Sequence, residues 1–260
     1  MSSQLSNLKS VNLFLRMTVR DRYLGSALGS LWAVLSPLML LAIYTFVFGF
    51  VLKSKAPGAT TTLSYAIWLI SGFGPWQATT EALLTSSHSI VSASSIIKNL
   101  PVRMESIPVA GALVGFIPLI VSIVFLLLLL PMDHQTISWH ILFLIPVIVV
   151  HFSFLIALGF WLSPVTVFSR DFGLALPNLL TVALFATPIF YSIESMPAFA
   201  QKITHFNPFY IIAESYRACL VHHQIPSMFG MYYVLGLAVI LMLSGLKLFK
   251  SVKGYFEAVL

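Results

Sequence analysis

Charge is what this chain has least of. Only 8% of its 260 residues are Asp, Glu, Lys or Arg, whereas 58% are hydrophobic. A soluble domain carries roughly 25% charged residues, so this chain cannot clothe a globule in a hydrated surface, and its solvent must be lipid. Cysteine is nearly missing as well. The single thiol, Cys219, excludes an internal disulfide and says little about compartment. Three chemical patterns are also lacking. There is no G-x-x-x-x-G-K-[ST] loop, so no helix N-terminus is prepared for ATP, and no H-E-x-x-H pair for a catalytic metal. No paired aspartates sit at a spacing that would hold magnesium for a lipid diphosphate, which disfavours a membrane enzyme of isoprenoid lipids. His222 and His223 are adjacent and would point different ways on a helix, so no metal is expected there. The formal charge of +6 arises from cations scattered between apolar blocks. No basic patch interleaved with aromatics follows a phosphate backbone, and nucleic acid is excluded as a partner.

What the chain does have is long apolar runs. Six windows, 31–52, 65–87, 107–130, 139–162, 173–192 and 228–249, are each long enough to cross a hydrocarbon core of about 30 Å as a helix. Unpaired backbone cannot face lipid, so the expected fold class is all-α, an integral membrane protein with six transmembrane helices in a single domain. The runs are continuous and not alternating, unlike the strands of an outer-membrane barrel. The first is longer than the apolar stretch of a leader and is followed by KSKAPG with no small-residue cleavage site, so it reads as a retained span.

Basic residues favour the cytoplasmic side of a membrane. With the N-terminus inside, Lys9, Arg16, Arg20, Arg22, Lys98, Arg103, Arg170, Lys247, Lys250 and Lys253 fall inside, and only Lys53, Lys55, Lys202 and Arg217 fall outside. Both termini are therefore expected in the cytoplasm. Residues 1–30 contain an amphipathic helix over 5–23: Lys9, Asn12, Arg16 and Arg20 share one sector, with Leu8, Val11, Phe14, Leu15 and Val19 opposite. The rival reading is a frayed basic tail meeting anionic lipid. Gly25 and Gly29 then let the chain turn before the first span. Residues 88–106 form a longer cytoplasmic segment. Residues 193–227 lie outside yet contain FNPFYIIAESYRACLV, too apolar for a solvated loop, and read as a re-entrant hairpin bending near Asn207 and Pro208.

Ionisable residues within spans are functional candidates. Glu81 lies in the second span and is the one candidate for a proton relay. His151, in the fourth, is read as an interhelical hydrogen-bonding group in preference to a substrate contact. Glu214 and Arg217 are i,i+3 neighbours and form either a structural pair holding the hairpin or a gating pair. Tyr44 and Phe48 share a helix face, and Phe185, Phe190 and Tyr191 cluster near the end of the fifth window. Aromatic faces suit sugar rings, although most of the 21 phenylalanines are packing or lipid-facing. SGFGPW, Ser71 to Trp76, is expected to mark a bend.

Five stretches in order, RDRYLGSALGSLWAVLSPL, GPWQATTEALLTSSHSIVSASSIIKNLPVRMESIP, LSPVTVFSRD, TPIFY and NPFYIIAESYRACL, give the chain a resemblance to the permease subunits of bacterial polysaccharide ABC exporters. These move lipid-linked O-antigen, capsule or wall teichoic acid across the inner membrane. The resemblance implies a homodimer of six-span subunits above two separate ATPase subunits, which bind the ATP and magnesium. No cofactor or metal is expected on this chain itself, nor enzymatic activity.

It also implies roles. Arg16, Arg20, Asp21, Arg22 and Tyr23 would belong to the interface helix, meeting lipid headgroups and the ATPase. Ser95, Ile97, Lys98, Asn99, Pro101, Arg103 and Glu105 would form the coupling helix, with Asn99 and Leu100 neutral where many relatives are basic. Arg170 and Asp171 would sit at the turn before the fifth span. Pro197, Asn207, Pro208, Glu214 and Arg217 would belong to a periplasmic gate over 193–227. The first and fifth spans would line a channel bearing Tyr44, Phe48, Trp76, Phe185, Phe190 and Tyr191. The substrate most in keeping with the resemblance is lipid-linked O-antigen. Its alternatives are capsule or teichoic acid, or a small molecule or lipid carried on the same plan; a proton-coupled transporter is a further rival.

Overall fold

The computed structural model describes residues 2–23, 26–51, 61–99 and 102–259, and among them every regular element is helical. Pro101 and Leu100 lie outside the described residues, as do Lys53, Lys55 and Gly25, and the side chains of Leu8 and Tyr23.

Helix α1 (Ser2–Tyr23) separates its residues as a 3.6-residue period requires. Lys9, Asn12, Arg16 and Arg20 are exposed, Val11 and Leu15 are partly covered, and Phe14 is buried. The chain then turns at Gly29, whose φ of 51° lies in the left-handed region that glycine adopts without steric cost. A short 3₁₀ turn, Gly29–Leu31, opens onto α2 (Trp32–Tyr44), and a π-helical turn, Thr45–Val51, continues it.

The centre of the molecule is α3 (Thr62–Ser92), which is buried without interruption from Tyr65 to Thr79. It runs through SGFGPW as one continuous helix and extends past the expected 65–87 into residues 88–92. Only α4 (Ser94–Asn99) remains as a separate short helix there. Two glycines let the next span approach α3 closely. A Cβ at Gly111 would sit 2.8 Å from Ser86 Cα, and one at Gly115 would sit 2.5 Å from the Ala78 carbonyl oxygen. Four residues apart, they form the G-x-x-x-G face that permits backbone contact between membrane helices. The third window is accordingly two helices, α5 (Ser106–Leu113) and α6 (Phe116–Leu129), joined at Val114–Gly115.

After a 3₁₀ turn at Trp139–Phe143, α7 (Leu144–Phe168) runs six residues beyond its window. It packs along α11 (Met228–Val252), where Trp161 Nε1 donates to the Leu241 carbonyl at 3.1 Å. Helix α8 (Arg170–Ala186) stops at Thr187, so the last part of the fifth window, 187–192, is not helical. Beyond it lie α9 (Ala198–Thr204) and α10 (Pro208–Leu220). Helix α10 ends before His222 and His223, which occupy the following turn and not a helix; His223 has a φ of 51°. A short α12 (Phe256–Val259) follows α11.

Among the described residues, four of the six windows fall in helical runs long and apolar enough to cross a membrane: Gly29–Val51, Ser106–Asp133, Trp139–Phe168 and Met228–Tyr255. The other two differ for physical reasons. Helix α3 is sheathed by its neighbours, so it can carry Gln77, Thr79, Thr80, Glu81 and Thr85 without presenting them to lipid. Helix α8 is 17 residues long before its break. Two cores result. The larger surrounds α3, and a satellite gathers Phe14, Ile97, Phe160, Phe249 and Phe256 where α1, α4, α7, α11 and α12 converge.

Candidate functional site

A cleft of about 380 Å³ opens between α2, α3, α6 and α8, with the end of α1 at its mouth. Trp32, Tyr44, Phe73 and Trp76 supply aromatic walls, and Gln77, Thr80 and Glu81 supply a polar strip on α3. At the mouth Arg22 Nη1 donates to Glu81 Oε1, which also accepts from Thr85 Oγ1 at 2.8 Å. Arg22 gives α1 an ion pair with α3, whereas Arg16, Arg20 and Asp21 stay exposed on the helix surface. Glu81 is therefore an ion-pair partner, not an isolated buried carboxylate.

The aromatic residues singled out from the sequence meet at one point, but not as an open wall. Phe190 is fully buried, stacked on Phe48 with centroids 4.6 Å apart and planes at 3°, and 4.7 Å from Tyr44. In this chain its ring is therefore held among Tyr44, Phe48 and Phe73. Trp76 is also buried, against Phe209, although it reaches the cleft. Phe185 is half exposed, and Tyr191 is turned back so that its hydroxyl donates to the Phe185 carbonyl at 2.8 Å. The cause is the break at Thr187–Pro188, which folds residues 189–191 inward.

That break is held from α10. Arg217 is 1% exposed and donates to the carbonyls of Pro188 at 3.2 Å and Ile189 at 2.8 Å. It also pairs with Glu214 at 3.3 Å. Asn207 caps α10 by accepting from the Phe209 amide at 3.0 Å, with Pro208 in the first turn, and its Nδ2 donates to Thr187 Oγ1 at 3.0 Å. Pro197 precedes α9. A second tether runs through His151: its ring nitrogens lie 2.9 Å from Thr79 Oγ1 and 3.2 Å from Tyr216 Oη. It links α3, α7 and α10, as the interhelical reading of this residue requires.

The short helix α4 is amphipathic: Ile97 is buried in the satellite core, and Ser95, Lys98 and Asn99 face outward. Arg103 is exposed beside it. Glu105 is turned away to the C-terminal end of α11, where Lys253 Nζ donates to its Oε1 at 2.7 Å. Burial alone would raise the Glu105 pKa. The Lys253 hydrogen bond, a backbone hydrogen bond and the charges of Lys253 and Lys250 outweigh it and hold the carboxyl below its ordinary value. Arg170 and Asp171 are exposed at the start of α8.

Sequence reasoning missed Gln77 and Thr80 in the cleft, the partnership of Arg22 with Glu81, and that of Glu105 with Lys253. The last two join residues 59 and 148 positions apart, a relationship no local pattern encodes.

The chain is 23% identical over 235 residues to the O-antigen export system permease protein RfbA of Myxococcus xanthus, covering 90% of this chain and 88% of that one. Two proteins of the same description from Klebsiella pneumoniae are 27% identical, over 246 and 252 residues, each match covering 93% of this chain and 91% of theirs. Residues 10–221 match the family described as ABC-2 type transporter. With its four apolar helical runs, this all-helical, multi-pass membrane protein belongs to the ABC-2 transporter membrane family.

Proposed function

We propose that the chain is the membrane-spanning permease of an ATP-driven exporter that moves a lipid-linked polysaccharide, O-antigen in the first instance, from the cytoplasm outward. The observation that carries this is a likeness over nine-tenths of the chain to proteins described as O-antigen export permeases. The chain acts as the transport component, and ATP hydrolysis belongs to a separate ABC ATPase. It sits in the cytoplasmic membrane with both termini inside, as the distribution of basic residues favours.

Six spans are reached when α3 and α8 are counted with the four apolar runs. Helix α3 is long enough to cross inside a sheath of other helices, and α8 is completed by the segment held under Arg217. Helices α9 and α10 form the outward hairpin. Two copies meet through α2 and α8, whose apolar residues Val34, Met39, Ile43, Leu179, Val182 and Phe185 are left uncovered beside the cleft. Parting these helices opens the route, and Phe185 is the aromatic best placed to meet a passing sugar.

Work enters from the cytoplasmic side. The outward residues Ser95, Lys98, Asn99 and Arg103 meet the ATPase, while Ile97 anchors the helix in the same small core as Phe14 of α1. A push on α4 therefore reaches α1, and through Arg22 and Glu81 it reaches the cleft. Arg16 and Arg20 face the headgroup layer, where charge-assisted contacts to lipid phosphate are available.

The test is co-expression with an ABC ATPase. Lys98→Glu and Arg103→Glu together are expected to abolish stimulation of ATP hydrolysis by the permease, while the uncoupled ATPase rate persists. Full stimulation in that double variant would remove the coupling role.

A further inference from the structure

We infer that the cleft is a glycosyl-phosphate subsite. The phosphate sits at Arg22 in place of the Glu81 carboxylate, and the first sugar ring lies along the Gln77–Thr80 face of α3. This rests on the polysaccharide-exporter reading and names the part of the substrate the cleft takes.

The volume of about 380 Å³ lies in the range of about 300–1,000 Å³ that encloses small ligands. Among its lining residues only Arg22 and Glu81 carry charge, and they pair at its mouth. A carboxylate held by a guanidinium occupies the place that phosphate oxygens would take. Phosphate offers more acceptor oxygens and matches the guanidinium fork bidentately. Arg22 is half exposed, so an incoming anion can reach it from the headgroup layer without passing through the core.

The polar strip runs inward from that point. Gln77, Thr80 and Glu81 stand at i, i+3 and i+4 and share one helix face. Gln77 is 7% exposed; its Nε2 donates to the Pro37 carbonyl at 3.2 Å, and its Oε1 is buried with no hydrogen-bond partner. Thr80 Oγ1 is buried and unpartnered in the same way. Buried acceptors without donors are costly. A sugar hydroxyl supplies a donor to Gln77 Oε1 and can both donate to and accept from Thr80; an acyl chain can do neither. Reaching these atoms requires α2 to ease away from α3, which is the movement that parts the Gln77–Pro37 contact. Trp32, Tyr44 and Trp76 then offer rings to the apolar faces of the sugar. An anion-binding fork, hydroxyl-matching groups and aromatic walls in one cleft are complementary to a sugar joined to phosphate.

Glu81 therefore acts as a resident anion that the substrate must displace. This gives a sign that a purely structural ion pair would not: removing the carboxylate strengthens binding.

The experiment uses the permease with its ATPase in nanodiscs and follows tryptophan fluorescence, since Trp32 and Trp76 line the cleft. The probes are glucose 1-phosphate, inorganic phosphate and glucose. Glucose 1-phosphate is expected to bind about tenfold more tightly than inorganic phosphate, the worth of one or two hydrogen bonds. Thr80→Val and Gln77→Leu are each expected to erode that preference while phosphate affinity is kept, and the retained affinity shows that the variant is folded. Glu81→Gln is expected to tighten both phosphate-bearing probes, roughly two- to fivefold. The subsite is overturned if wild-type protein shows no preference for glucose 1-phosphate over phosphate, if the preference survives both substitutions, or if Glu81→Gln weakens phosphate binding. Polysaccharide export without a glucose 1-phosphate preference would leave the exporter reading standing and remove only the subsite. Retention of the preference in a complex that exports nothing would keep the subsite and remove the exporter reading.

Discussion

Arg217 lies over the indole of Trp68, its Cζ 3.9 Å from the ring centroid, and its guanidinium is pressed against Gly72. A Cβ at that glycine would stand 2.5 Å from Nη2. One cation thus joins α10 to α3 and holds the carbonyls exposed by the break after α8. Lysine cannot reproduce the planar fork or its two backbone contacts. Arg217→Lys is expected to cost about 2–4 kcal/mol, the worth of a lost charge-assisted hydrogen bond plus the stacking. Gly72→Ala should cost about 1–3 kcal/mol through overpacking. Thermal unfolding in detergent reads both; a melting curve matching wild type for Arg217→Lys would show that the fork is dispensable.

The contacts of His151 form a chain. The Thr79 hydroxyl donates to the Pro75 carbonyl at 2.9 Å, which leaves Thr79 Oγ1 to accept from His151 Nε2–H, while Nδ1 shares a hydrogen bond with the Tyr216 hydroxyl at 3.2 Å. Both ring nitrogens thus have a partner, and the ring is held between two helices. Tyr216→Phe and Thr79→Val are each expected to cost about 1–3 kcal/mol by orphaning a buried group. Because both act through His151, the double variant should lose less than the sum, by about 0.5 kcal/mol or more. Strict additivity in unfolding measurements would contradict the chain.

Glu105 and Lys253 give a pH signature. The carboxyl is held below its ordinary value in the folded protein, so its stabilising contribution is present above the unfolded pKa and disappears as pH falls through the folded one. The stability difference between wild type and Lys253→Gln should therefore be full near neutral pH and vanish in acid. The charge-exchanged protein, Glu105→Lys with Lys253→Glu, should recover what either single reversal loses. A stability difference independent of pH would assign the effect of Lys253 to packing.

The close approach of α5 and α6 to α3 separates two kinds of glycine. Gly111→Val must displace the α3 backbone at Ser86 and is expected to cost about 3 kcal/mol or more, since close helix contact in lipid depends on small residues. A Cβ at Gly236, on α11, would meet nothing within 4 Å, so Gly236→Val should be nearly silent. Protein yield and melting temperature compare the two directly.

These relationships show why some features were legible in the sequence and others were not. The stripes of α1 could be read because one side is exposed and the other faces protein, so period and polarity coincide. The long apolar runs could be read for the same reason. Helix α3 hid its importance, because a helix surrounded by other helices need not be uniformly apolar. Its Ser, Thr and Gln residues weaken the hydropathy signal at the very place where the cleft forms. The burial of Phe190 was not legible, because it depends on where α8 ends, and that end is fixed by Thr187, Pro188 and a distant arginine. Gly111 and Gly115 were visible, but not the surface they press against. The pairs Arg22–Glu81 and Glu105–Lys253 are set wholly by tertiary packing.

Transport itself is the central claim, and inside-out membrane vesicles containing the permease and an ABC ATPase measure it. Supplied with lipid-linked polysaccharide on the outside, these vesicles should protect the sugar chain from added glycosidase only when ATP is present, and Lys98→Glu with Arg103→Glu should abolish that protection. Protection without ATP, or none in the intact complex with ATP turning over, would contradict the account.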